Sequence, residues 1–275
     1  MSDVSYESLL NDRYQGAIAP LADSDVENNA VVQALLRHRS IRRYLNRSVP
    51  AAVLQAAIAA AQSASSSSHL QAWSVIAVEN PERRARLAAF AGNQAHVAAA
   101  PLLLVFIADL ARLRRIANVS GMAGDGLDYL EAMMIGVVDA SLAAQNAVMA
   151  FEAMGLGACY IGGMRNQPEK VAEELGLPKE TFAVFGLTVG YPDPSAEAAV
   201  KPRLPQATVL HKERYDGADN DLASYDTRMR AFQAAQGMDD IPWTQKTARR
   251  ITGTAALTGR DRLREALQGF GIELR

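Results

Sequence analysis

From residue 30 onward the apolar residues switch repeatedly between helical and strand spacing. Val31, Val32, Leu35 and Leu36 make a stripe at three- and four-residue intervals, predicting a helix that Asp25 is placed to cap. Ser48 and Pro50 mark a second helix start, and Val53, Leu54, Ala57, Ile58 and Ala61 give that helix a buried face. The β-branched run at 73–78 predicts a strand. Pro81 then opens a helix whose Arg83, Arg84 and Arg86 are expected on its solvent side. Residues 101–108, PLLLVFIA, form an unbroken apolar run of strand length and predict a central strand. A polar, glycine-rich loop is expected at 118–128. After it comes a helix of about 40 Å at 1.5 Å per residue, ending at Gly155. Its apolar residues run almost all the way round, so it is buried on most sides, by its own domain or by a second subunit. Residues 155–163 form a strand framed by glycines. The first pair, Gly155 and Gly157, ends the helix, and Gly162 and Gly163 let backbone approach something flat with no Cβ in the way. Pro168 starts a short helix, 182–189 is a further strand, and 191–205 is a proline-rich extended loop.

This pattern divides the chain into an N-terminal extension (1–27), a core (28–205) and a charged helical arm or lid (206–275). The extension is polar, with Tyr6, Leu9, Leu10 and Tyr14 as sparse anchors, and is expected to wrap the surface.

The 275 residues are 49% hydrophobic and 21% charged, the composition of a globular protein with one large domain or one domain plus an appendage. A formal net charge of −2 provides no basic field to recruit nucleic acid. Cys159 is the single cysteine, which removes intrachain disulfides and thiolate metal clusters; among apolar neighbours it reads as a core thiol. Asp3, Glu7 and Asp12 at the N-terminus do not read as a signal peptide. Glu131, Asp139, Gln145, Asn146 and Glu152 interrupt the longest apolar stretch, so it reads as a core helix rather than a membrane span. A cytoplasmic enzyme or binding protein is the expectation.

Candidate chemistry sits at the junctions between these elements. His38-Arg39-Ser40-Ile41-Arg42-Arg43 ends the first helix, and is either an oxyanion-binding turn or a solvated cationic face. Residues 63–73 pass from the second helix through clustered serines and His69 to Trp73. They read either as a ligand loop or as a plain linker. Gln94 offers a carboxamide that can donate to and accept from a heterocycle edge. Lys201-Pro202-Arg203 holds two cations on rigid backbone, an anion or cofactor clamp or a solvated basic turn. The histidines at 38, 69, 96 and 211 lack HxxxH or HExxH spacing, and no metal site is expected. Neither a GxSxG elbow nor a P-loop is present, and no Asp or Glu stands out as an acid–base pair. These groups bind rather than react, so a bound cofactor has to supply the reactivity.

In order, HRSIR, ASSSSHLQAW, AGNQAHV, PLLLVFIAD, GLGACYIGGMRN, FGLTVGYP and KPRLP resemble the FMN-dependent nitroreductase family over residues 30–215. The order and spacing are most similar to its oxygen-insensitive NADPH nitroreductase and flavin reductase branch. The resemblance implies an α+β fold with a central, mostly antiparallel sheet flanked by helices, in an intertwined homodimer with FMN at the interface. It implies that His38, Arg39, Ser40 and Arg42 hold the phosphate and ribityl side of FMN. Ser66, Ser67 and Ser68 reach the flavin from the partner subunit, and Gln94 bonds on the ribityl and ring side. Tyr160, Ile161, Gly162 and Gly163 lay backbone along the ring, Lys201 sits by its pyrimidine edge, and Arg203 lies near the phosphate. The implied activity is ping-pong, two-electron reduction of nitroaromatics, quinones or free flavin by NAD(P)H, with NADPH favoured. All chemistry then happens on the flavin, with no catalytic side chain, no nucleic-acid partner and no membrane. Where the branch places an arginine for the NADPH phosphate, this chain has Gln236. Arg228, Arg230, Lys246, Arg249 and Arg250 are nearby candidates, and NADH remains a possible donor. The competing readings are a flavin-holding sensor or carrier with little turnover and a helical interaction protein with no cofactor.

Overall fold

Four strands pair in the order β1-β2-β4-β3, with every neighbouring pair antiparallel. They are β1 (Trp73–Val78), β2 (Leu102–Asp109), β3 (Gly157–Ile161) and β4 (Thr181–Gly190). The computed structural model describes residues 5–18, 23–196, 198–217 and 221–275. Asp3, residues 19–22 of the expected extension and residues 197 and 218–220 lie outside that set.

The chain separates into two compact units, one of Met1–Arg39 with Glu197–Ala256, the other of Ser40–Ala196 with Leu257–Arg275. The sheet belongs to the second. Its continuous apolar strand is explained by burial on both faces. Leu102, Leu104, Phe106 and Ala108 of β2 face the long helix Leu130–Ala153, through Ala140, Ala143, Ala144, Ala147 and Phe151. Leu103 and Val105 face the other way, into a cluster with Val78, Leu87, Val97, Cys159 and Met164. Each leucine or phenylalanine buried this way contributes roughly 2 kcal/mol of transfer free energy. Alanines on the sheet side of the long helix let it lie close, and the helix Ala51–Gln62 packs on its flank. The long helix has the length and hydropathy of a membrane span. Its packing on sheet and helix, and the carboxylate of Asp139 buried within it, mark it as a core helix.

The helix Tyr6–Tyr14 stands where a surface wrap was expected. Ser5 caps it, and Leu9, Leu10 and Arg13 are buried on one face. Tyr6, Leu9, Leu10 and Tyr14 are in fact helically spaced, but two leucines among polar residues are a weak signal. Asp25 caps nothing. Asp23 caps Ser24–Glu27, that helix ends at Asn28, and Asn29 caps Ala30–Leu36 by accepting from Val31 N and Val32 N. Arg84 is not on the solvent face of Pro81–Phe90: it shares a side with Leu87 and Ala88, is 9% exposed, and donates to the Glu79 carbonyl. Burial lowers its pKa. Residues 110–119, between β2 and the expected loop, form a helix capped by Asp109.

Candidate functional site

β3 is an edge strand, and part of its open side is taken by the basic turn. Ser40 bridges Ala158 in parallel, and Ile41 N–H donates to the Ala158 carbonyl at 3.0 Å. The Ile41 side chain is buried against Gly157, where a Cβ would stand 2.3 Å from Ile41 Cγ1. So Gly157 does not end the helix; Gly155, at φ +81, does that, and Gly157 makes room for Ile41. Downstream, Tyr44 O–H donates to the Ile41 carbonyl at 2.6 Å and lies 2.8 Å from Thr188 Oγ1, while Leu45 N–H donates to the Tyr191 carbonyl. Burial pushes the Tyr44 phenol above its ordinary range. The turn is thus nailed down at Ile41 and Tyr44, with Ser40 and Arg42 left exposed.

Because strand amides alternate in direction, Tyr160 presents its N–H and C=O to the same side as Ala158. That stretch lies just beyond the part of the edge held by the turn, and Tyr160 is 38% exposed. The chain then turns through Gly162–Arg165. A Cβ on Gly163 would lie 2.4 Å from the Ala91 carbonyl and 2.8 Å from Gln94 Nε2. Gly163 therefore makes room for protein backbone rather than for a ligand. Gln94 Nε2 donates to the same Ala91 carbonyl at 2.8 Å, which leaves its Oε1 to accept elsewhere. Two residues on is His96. Burial, and then the charge of Arg42, hold it below its ordinary pKa, and its buried Nε2 has no partner among the described residues. Ser40 therefore lies against β3 at Ala158, Gln94 lies against Gly163 just past the strand's end, and Arg42 is near enough to His96 to act on its charge.

The serine loop is organised by a residue that the sequence reading did not select. Asp139, on the long helix, accepts from Ser66 Oγ at 2.8 Å, Ser67 N at 3.0 Å and Ala72 N at 3.0 Å. Ser66 Oγ in turn accepts from Gln71 N at 2.7 Å, so this hydroxyl is used inside the protein. Ser67 and Ser68 are exposed. Ser68, His69 and Gln71 adopt φ of 47°, 55° and 50°, a concentration of left-handed non-glycine residues that packing has to hold in place.

His38, Arg39, Lys201 and Arg203 lie in the first unit. Lys201 and Arg203 line a cavity of about 570 Å³ with Tyr14, Tyr225, Phe232 and Trp243 among its walls. Tyr225 O–H donates to the Pro202 carbonyl at 3.1 Å, fixing the backbone between the two cations. Gln236 Oε1 accepts from Ala199 N. Of the basic residues near it, Lys246 lines the cavity, and Arg230 is paired with Asp240 through two bonds of 2.7 and 2.8 Å. Arg228 donates to Ser224 Oγ and leaves Nε and Nη2 buried without a partner among the described residues.

The fold is α+β: an antiparallel sheet with a cationic turn docked on its edge strand and a carboxamide close to the turn that follows that strand. The profile of the nitroreductase family matches residues 35–191, and that of the nitroreductase family C-terminal domain matches 201–275. The NADPH-flavin oxidoreductase of Vibrio harveyi is 40% identical over 228 residues, 82% of this chain and 92% of that protein. The oxygen-insensitive NADPH nitroreductase of Salmonella typhimurium is 40% identical over 207 residues, 75% of this chain and 83% of that one. Among solved structures, the NADPH:FMN oxidoreductase of Vibrio harveyi complexed with NAD+ superposes with a TM-score of 0.79 at 37% identity, covering 90% of this chain and 100% of that one. The chain belongs to the nitroreductase family.

Proposed function

We propose that this protein is an FMN-dependent oxidoreductase that uses NAD(P)H, with NADPH favoured, to reduce small acceptors such as nitroaromatics, quinones or free flavin. The observation that carries the proposal is the docking of Ser40 and Ile41 onto Ala158, which holds the basic turn on the edge strand whose continuation, at Gly163, packs against Gln94. The donor set fits FMN: guanidinium and hydroxyl groups for a phosphate, and a carboxamide and strand amides for a flat heterocycle. Relatives named for NADPH, flavin and FMN support the same reading.

When bound, FMN supplies a ring that accepts hydride from a nicotinamide and delivers two electrons to an acceptor. The protein's part is binding, orientation and charge. His38, Arg39, Ser40, Arg42 and Arg203 would hold the phosphate and ribityl side. Gln94 and the backbone of Tyr160, Ile161, Gly162 and Gly163 would fix the ring. Lys201 would supply positive charge for the pyrimidine edge, where negative charge develops on reduction. With no second nicotinamide or acceptor site required, donor and acceptor would use the bound flavin in turn, in ping-pong order.

The active species is a homodimer. Leu130, Met134, Val138 and Leu142 recur every four residues on the long helix and are each 43–54% exposed, a stripe suited to an isologous helix contact. In that assembly Ser67 and Ser68 reach the partner's flavin, while Ser66 holds their loop to Asp139. The single buried cysteine suits a reducing compartment such as the cytoplasm.

The protein is expected to be yellow as purified and to bleach with NADPH under anaerobic conditions. Lys201→Ala is expected to slow that bleaching about tenfold or more while changing FMN affinity less, the signature of charge stabilisation lost on reduction. A protein that is colourless and takes up no added FMN refutes the enzyme reading. A variant that bleaches at the wild-type rate refutes the role of Lys201.

A further inference from the structure

Arg13 stands upstream of residue 35, where the family match begins, yet its side chain reaches the two segments assigned to cofactor binding in the first unit. One guanidinium donates to three carbonyls: Nη1 to Lys201 O at 2.9 Å, Nη2 to Leu36 O at 2.9 Å and Nη2 to His38 O at 2.8 Å. The residue is 6% exposed, and its own carbonyl accepts from Arg203 N at 3.0 Å. Leu36 ends the helix Ala30–Leu36, and Leu36 and His38 offer carbonyls at a helix C-terminus, where a cation is favoured by the helix dipole. The planar fork spans two segments that lie 163 to 165 residues apart in the chain, a geometry a lysine ammonium reproduces poorly.

We propose that Arg13 is a positioning residue for the flavin phosphate site. It fixes the backbone of His38 and of Lys201–Arg203 relative to each other, and so sets where their side chains present charge. The N-terminal helix is then a working part of the cofactor site. This rests on the FMN reading above.

The test is the affinity of full-length apoprotein for FMN and for riboflavin, by flavin fluorescence quenching at a temperature where circular dichroism shows each variant folded. The FMN-to-riboflavin preference isolates the phosphate contribution. A merely structural loss weakens both ligands together and leaves the ratio unchanged. Arg13→Gln is expected to lower that ratio about tenfold, the equivalent of roughly 1.4 kcal/mol. Arg13→Lys, which keeps the charge but not the fork, is expected to fall between wild type and Arg13→Gln, and it decides the matter if Arg13→Gln does not fold. Ratios within about twofold of wild type in the folded variants overturn the proposal. Wild-type protein that binds neither ligand instead refutes the FMN reading on which it stands.

Discussion

Gly157→Ala is expected to detach the basic turn from the sheet and to remove tight FMN binding. The added methyl would lie 2.3 Å from Ile41 Cγ1, 2.7 Å from Ile41 Cβ and 3.1 Å from Ile41 Cγ2. All three atoms sit at or beside the branch point of a β-branched side chain, which cannot rotate out of the way. The backbone has little freedom either, because Ile41 N–H is bonded to Ala158, the neighbour of the substituted residue. The chain must therefore give up either the packing of Ile41 or the bond at Ala158. Overpacking of this kind costs about 3 kcal/mol, and the loss falls on the segment that carries Ser40 and Arg42. Urea unfolding reads the stability, and FMN titration is expected to show an affinity at least about a hundredfold weaker, the effect of losing a charge-assisted phosphate contact and its geometry. Adding Ile41→Ala should restore part of both, since it removes Cγ1 and Cγ2 and leaves only the Cβ contact. A single Gly157→Ala variant with wild-type stability and affinity contradicts the docking of this turn.

Asp139→Ala is expected to cost about 3 kcal/mol of stability and to loosen the serine loop, through a different cause. Asp139 is 1% exposed and satisfies three donors at once. One of them, the amide of the fully buried Ala72, has no water to turn to, and each orphaned buried donor costs roughly 1–3 kcal/mol. The carboxylate also holds Ser66 and Ser67 beside a stretch with three left-handed residues, each strained by about 1 kcal/mol or more. Without it the loop is expected to relax, and the amides of Ser67 and Ala72 should exchange hydrogen much faster than in wild type. Protection unchanged at both amides would show that Asp139 does not organise the loop.

The parts that the sequence revealed follow from local periodicity. β2 was legible because a strand buried on both faces must be apolar throughout, and the long helix because its pattern ran the same way for seven turns. The cationic turn, Gln94 and the 160–163 segment could be named because they sit at the ends of those elements. What stayed hidden depends on contacts distant in sequence. Asp139 reads as an interruption of an apolar helix, and nothing nearby announces that its partners lie 67 to 73 residues away. Arg13 follows Leu9 and Leu10 at helical spacing, but its acceptors are carbonyls, which leave no mark on the residue types that bear them. Gly157 looked like a helix stop because the side chain it accommodates belongs to a turn more than 100 residues earlier. Arg84 misled for the reverse reason: its neighbours in sequence are solvated arginines, while its neighbours in space are Leu87 and the Glu79 carbonyl.

The central claim is that cations, hydroxyls and strand amides of this chain serve one bound FMN, completed by a second copy of the chain. Sedimentation velocity of the FMN-loaded protein, followed together in the protein band and the visible flavin band, tests it most directly. The account predicts that flavin absorbance travels wholly with a species of two chains' mass, at one flavin per chain. Flavin absorbance left at the meniscus, or carried by a single chain, would contradict it.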